Sequence, residues 1–105
     1  MARSPIHPGE HLAEQLKELQ MSAAELARQP GVPTNRITFI LNGQRSVTGD
    51  TAPRFGHFFG NSPQFWLNLQ SIHDLRIAEA KSGELIEALP TLAKFKPAQA
   101  RRAMA

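Results

Sequence analysis

Residues 22–43 read SAAELARQPGVPTNRITFILNG, and the punctuation of this stretch decides the fold. Ser22 followed by Glu25 is a capping box, in which the hydroxyl accepts from the helix's third amide while the carboxylate reaches back. Leu26 and Ala27 supply that helix with a buried side. Gln29-Pro30-Gly31 then stops it, because proline disfavours helical backbone before it and glycine permits positive φ. A second short helix follows almost at once, from about Pro33 to Asn42, with Asn42-Gly43 as a left-handed cap. Two short helices joined by a tight glycine-containing turn make a helix-turn-helix unit over 22–43.

Periodicity sorts the second of these helices into faces. With Ile37 at the centre of the buried side and about 100° per residue, Pro33, Ile40 and Leu41 fall with it. Asn35, Phe39 and Asn42 lie opposite, flanked by Arg36 and Thr38. Asparagine pairs bidentately with adenine, arginine with guanine, and threonine adapts to either base class. Thr34, in the first turn, would sit near a groove floor if the helix enters N-terminus first. Asn, Thr and Arg are also ordinary residues of a solvated face, so the bihelical context is what turns this face toward DNA. Phe39 leaves two alternatives open: an outward ring touching a thymine methyl, or a ring tilted into the core. Arg45 and Thr48 follow in the loop, and with Ser22 and the amides after it they are placed to clasp phosphates.

Outward from this unit the chain remains helical. Pro8 suits the first position of a helix in which Leu12, Leu16 and Leu19 recur to about Gln20. Thr48 is a candidate cap for a fourth helix ending at Gly60. In it, Pro53 removes an early hydrogen bond and Gly56 costs about 1 kcal/mol against alanine, so a late start or a bend is expected. Ser62-Pro63 opens the longest helix, predicted over 63–82 with Gly83 as its stop, and a short segment Glu84–Leu89 precedes Pro90. No strand is convincing. The predicted fold is all-α, five helices in one domain over 1–92, with a basic, Ala-rich and disordered tail over 93–105.

The long helix is apolar in more than one direction. Trp66, Leu69 and Ile77 form one stripe, with His73 on the same side, while Leu67, Leu75 and Ala78 lie round the other. Either that second face meets its copy in a two-fold dimer, or Leu85, Ile86, Leu89 and Leu92 fold back over the helix. A dimer would set two reading helices about 34 Å apart, one turn of DNA.

Composition narrows the remaining classes. A chain of 105 residues with 41% hydrophobic residues buries one modest core. It contains no cysteine, which removes disulfides and thiolate metal sites. No apolar run approaches the ~20 residues of a membrane span, and the first residues lack the apolar core of a secretion signal. A cytoplasmic, nucleoid-associated location is expected. The net charge of +3 is uneven: residues 1–25 sum to −2, 26–60 to +3, 61–92 to −2 and 93–105 to +4. A basic middle between acidic flanks suits a polyanion that meets the middle alone. Glu10, Glu14 and Glu18 of the first helix form either a solvated face or a contact for a basic protein. The four histidines, His7, His11, His57 and His73, share no local pattern beyond one i,i+4 pair, His7 and His11. That pair is not expected to share a face, because His7 precedes the helix, and no nucleophile–base set or phosphate loop is visible. Neither a metal, a cofactor nor catalysis is expected.

Several of these stretches are similar to one family. Residues 22–43 resemble the lambda-repressor-like, or XRE, helix-turn-helix. His7-Pro8-Gly9-Glu10, Asn42-Gly43-Gln44-Arg45 with Thr48, Asp50-Thr51-Ala52, the run from Ser62 to Gln70, and Asp74-Leu75-Arg76 with Ala78-Glu79 resemble the HigA antitoxins of plasmid-addiction modules. The likeness spans roughly residues 5–92 in one order. It implies a homodimer that binds a palindromic double-stranded operator, represses its own operon, and neutralises a HigB toxin, a RelE-like mRNA endonuclease. It also implies base reading by Thr34, Asn35, Arg36 and Thr38, and phosphate contacts from Ser22, Asn42, Arg45 and Thr48. The chain departs from the pattern at Phe39, at Ala23 where the wider class carries a phosphate-contacting glutamine, and at Pro53 and Gly56. The alternatives are a stand-alone regulator of the same fold without a toxin, and a protein-interaction module that no longer binds DNA.

Overall fold

A computed structural model describes residues 5–94. Among these, all regular structure is helical: α1 (Pro8–Leu19), α2 (Ala23–Arg28), α3 (Thr34–Leu41), α4 (Thr51–Phe59), α5 (Pro63–Glu87) and a 3-10 turn, Leu92–Lys94. The expected all-α, five-helix architecture with a long last helix is the one observed.

The first two helices begin on caps. His7 precedes α1, its Nδ1 accepting from the Gly9 N–H at 2.9 Å while Glu10 accepts from the His7 N–H at 3.2 Å. Ser22 and Glu25 make the expected reciprocal pair at the start of α2 (3.1 and 3.0 Å). Both boxes satisfy amides that have no partner inside the helix. Gly31 takes φ +70° between α2 and α3, and the Val32 N–H returns to the Ala27 carbonyl at 3.1 Å, closing the turn.

One core joins these elements. Leu12 and Leu16 of α1, Leu26 and Ala27 of α2, Ile37 and Ile40 of α3, Ala52 and Phe55 of α4 and Trp66 of α5 are buried together with Val32 and Val47. Each of the large side chains contributes about 1.5–3 kcal/mol by leaving water. Trp66 sets its ring edge-on to Phe55 at 5.2 Å, and its indole N–H donates to Asn61 Oδ1 at 2.8 Å. Gln70, also buried, accepts from the Val47 N–H at 2.8 Å and donates to Asp74 at 2.9 Å, pinning the loop after α3 to α5. Two glycines are places of close approach. A Cβ on Gly9 would land on the Ile40 carbonyl oxygen, and one on Gly56 would meet Asn61 O at 2.8 Å and Pro63 N at 2.9 Å.

Several boundaries differ from the sequence reading. Pro33 is the extended residue before α3 (φ −59°, ψ 141°) and is exposed, so it belongs to the cap and not to the core face. Gly43 alone takes the left-handed conformation there, Asn42 staying at φ −84°. Thr48 does not cap α4, which starts late, at Thr51, with Asp50 as the flanking residue. Instead Thr48 Oγ1 accepts from the Asp50 N–H at 3.3 Å, and its own N–H donates to Thr51 Oγ1 at 2.9 Å. Gly83 does not stop α5, which runs unbroken to Glu87. One glycine costs only about 1 kcal/mol, less than the helix formers around it sustain, and Glu84–Leu89 is therefore no separate segment. Nor does the chain fold back: Leu85, Ile86, Leu89 and Leu92 are all exposed. The tail expected to be disordered begins within the 3-10 turn at Ala93 and Lys94; the rest of it, 95–105, lies outside the described residues.

Candidate nucleic-acid interface

The outward side of α3 is built by its register. Ile37 and Ile40 are fully buried, which turns Asn35, Thr38, Phe39 and Asn42 to the surface, each exposed. Thr34, in the first turn, is exposed as well. The Thr38 hydroxyl donates to the Thr34 carbonyl at 3.2 Å, leaving its lone pairs outward. Phe39 does not tilt into the core: the residue is 42% exposed and stands among the polar residues of the outer face.

Arg36 is half-buried on the flank and held by an ion pair. Its Nη1 donates to Asp50 Oδ2 at 3.0 Å, while its Nε is buried with no partner. Asp50 also faces Arg54 Nε at 3.5 Å, and Arg54 Nη1 donates to the Pro30 carbonyl at 2.8 Å. The start of α4 is thereby tied both to the turn between α2 and α3 and to the flank of α3. The sequence reading gave Asp50 and Arg54 no role. Their i,i+4 spacing was a visible signal for a helical ion pair, but the reach to Arg36 and Pro30 depends on how α4 docks.

The four residues expected at phosphates are all exposed. Ser22 is exposed at the start of α2, its oxygen accepting from the Glu25 N–H at 3.1 Å. The Ser22 N–H, which donates to Glu25 Oε1 at 3.0 Å, and after it the Ser22 hydroxyl hold the Glu25 carboxyl below its ordinary range. Asn42, Arg45 and Thr48 are exposed where α3 gives way to the loop. The Gln44 and Arg45 N–H groups both donate to the Phe39 carbonyl, at 2.8 and 3.2 Å, which fixes the start of that loop against the last turn of α3.

Of the three residues expected at a dimer interface, Leu75 and Ala78 are exposed on α5, whereas Leu67 is half-buried against the core. Leu67 sits near the start of α5, where α4 packs, and is partly used up within the protomer. His11 stacks edge-on against Phe65 and Trp66, and His7 against His73 at 4.9 Å. Among the described residues no group of three or more potential ligands is arranged to hold a metal ion, and no helix is long and apolar enough to cross a membrane.

No protein-family model matches the chain. Among curated proteins it is 47% identical over 75 residues to virulence-associated protein I of Dichelobacter nodosus, covering 70% of this chain and 69% of that one. Among solved structures it is similar to an addiction module antidote protein of a HigA family from Coxiella burnetii. The identity is 56% and the TM-score 0.83, with 85% of this chain and 98% of that chain covered. It is also similar to the Pseudomonas aeruginosa antitoxin HigA solved with the higBA promoter, at 40% identity and TM-score 0.76, covering 89% and 97%.

Proposed function

This chain belongs to the HigA family of helix-turn-helix antitoxins, and on that premise we propose that it is the repressor and toxin inhibitor of its own addiction module. As a dimer it binds a palindromic operator with α3 in the major groove. Thr34, Asn35, Arg36, Thr38 and Phe39 read bases, while Ser22, Asn42, Arg45 and Thr48 hold phosphates. Its second partner is a HigB-like toxin, for which the exposed Glu14 and Glu18 of α1 offer a surface complementary to a basic protein.

The observation that carries the DNA reading is the composition of the exposed side of α3: amide, hydroxyl and guanidinium groups with one aromatic ring, on a helix fixed from behind by Ile37 and Ile40. Short polar groups on a rigid helix are what base edges require, because discrimination depends on placement to within a hydrogen bond. Titration of the upstream region of its gene by gel shift tests this reading. Asn35→Ala and Arg36→Ala are each expected to weaken operator binding by about 1–3 kcal/mol without altering the melting curve. Arg45→Ala is expected to weaken binding to every sequence and reduce the salt slope by about one ion. Wild-type binding by all three variants would remove α3 from the groove. The toxin assignment is tested by whether a small basic reading frame adjoins the gene and whether co-expression of this chain relieves its toxicity. If neither holds, the chain is a regulator without a toxin.

A further inference from the structure

The Asp50 carboxylate stands between two guanidinium groups. Its Oδ2 accepts from Arg36 Nη1 at 3.0 Å, and its Oδ1 lies 3.5 Å from Arg54 Nε. Arg54 is itself anchored, donating to the carbonyls of Pro30 at 2.8 Å and Gly31 at 3.4 Å. A continuous line of polar contacts therefore runs from the helix-turn-helix turn, through the first turns of α4, to the flank of α3. Among the described residues the bond to Asp50 is the one hydrogen bond made by the Arg36 side chain, and its buried Nε has none.

With side chains 28% and 56% exposed, this pair adds little to stability, since exposed ion pairs contribute about 0–1 kcal/mol. Its geometric effect is larger. An arginine side chain is long and mobile, but its guanidinium is a rigid plane, so a carboxylate fixed on one edge determines where the remaining N–H groups point. Ordering that fork before binding lowers the entropy lost when it meets a base edge. The same carboxylate acts in the opposite sense on phosphates. A negative charge beside the reading face weakens any binding mode in which Arg36 serves merely as a cation for the DNA backbone. One group thus favours the correct complex and disfavours the incorrect ones, and specificity is the difference between the two.

We propose that Asp50 is a specificity-determining positioning residue, which aims the Arg36 guanidinium at one base edge and whose charge suppresses sequence-independent binding. The proposal rests on the reading of Arg36 as a base contact. The full-length chain is used first to select its preferred duplex from a randomised pool. Wild type, Asp50→Asn, Asp50→Glu, Arg36→Ala and the Arg36→Ala/Asp50→Asn double variant are then titrated by fluorescence anisotropy. The probes are the selected duplex, its single-base-pair variants and a scrambled duplex, with thermal melts recorded alongside.

Asp50→Asn is expected to bind the scrambled duplex about two- to threefold more tightly. Its preference for the selected duplex should fall about tenfold, and the loss should sit at the base pair where Arg36→Ala loses discrimination. Asp50→Glu keeps the charge but displaces the carboxylate. It should bind scrambled DNA like wild type yet discriminate less, and it carries the test if the asparagine variant melts too low. In the Arg36→Ala background Asp50→Asn should cost no further discrimination, which a merely structural role would not produce. Discrimination within twofold of wild type by both Asp50 variants, while Arg36→Ala loses it, overturns the proposal alone. So does an Asp50→Asn loss that persists in full without Arg36. A wild-type chain that selects no sequence, or an Arg36→Ala chain that discriminates like wild type, brings down the base-reading assignment and the proposal with it.

Discussion

His7 joins three elements through one ring. Its Nδ1 caps α1 by accepting from the Gly9 N–H, its face meets His73 of α5 edge-on, and it lies close to Gly43 at the end of α3. The cap requires a lone pair on Nδ1, so the imidazole must be neutral with its proton on Nε2. Burial, and next the neighbouring His73, hold its pKa below 6.5; Asp74 and Glu10 pull upward and are outweighed. The unfolded chain therefore takes up this proton first as the pH falls below about 6.5. The stabilisation is fully present above that value and is lost as the pH drops through the folded pKa. Melting temperatures between pH 7.5 and pH 5 should fall, and His7→Asn, which keeps a capping acceptor, should show a flatter profile. An equal slope in both proteins would assign the acid sensitivity elsewhere. The sequence places His7 just before the helix, but its protonation state was not legible there, because it depends on a ring that α5 brings from far along the chain.

Among the helices, two glycines look alike in sequence and act oppositely. Gly56 lies within α4, where alanine would be favoured by about 1 kcal/mol on propensity. A Cβ there, however, would stand 2.8 Å from Asn61 O and 2.9 Å from Pro63 N, backbone atoms that cannot rotate away. Gly56→Ala is expected to destabilise the chain by about 1–3 kcal/mol in chemical denaturation, overpacking outweighing propensity. Gly83 lies within α5 with nothing within 4 Å of a Cβ, so Gly83→Ala should stabilise the end of that helix by up to about 1 kcal/mol and raise its helical signal. An unchanged or lowered melting temperature would show that this end gains nothing from helix propensity. Local signals such as the Ser22–Glu25 box and the Gly31 turn were readable because they are satisfied within four or five residues. Thr48 as the cap of α4 and Gly83 as the stop of α5 were misread because a threonine or a glycine sets a preference of about 1 kcal/mol, which neighbouring contacts override, whereas the late start expected from Pro53 is the one observed. For the outer face of α3 the same logic holds. Ile37 and Ile40 announce which side of α3 is buried, whereas the Asp50–Arg36 bond belongs to the packing of a different helix.

At the scale of the whole molecule, α5 is longer than the body it packs on. Twenty-five residues span about 37 Å, yet its buried residues, Trp66 and Gln70, lie within its first third. Beyond them Ile72, Leu75, Ile77, Leu85 and Ile86 are exposed. Apolar side chains repeated along an exposed helix are costly to leave in water, and a second copy of the same helix is the expected cover, one that would also suit the proposed palindrome. Light scattering at micromolar concentration is expected to give a dimer. Leu75→Glu should shift it to monomer at the same concentration, with little change in protomer stability because Leu75 is 60% exposed. Operator affinity should then drop by about a hundredfold or more, since the second reading helix no longer arrives at the effective concentration that tethering provides. Binding to an isolated half-site should hardly change, which separates loss of the partner from damage to α3. A wild-type monomer overturns the dimer outright. A Leu75→Glu dimer of undiminished affinity would instead place the two-fold contact away from this face of α5.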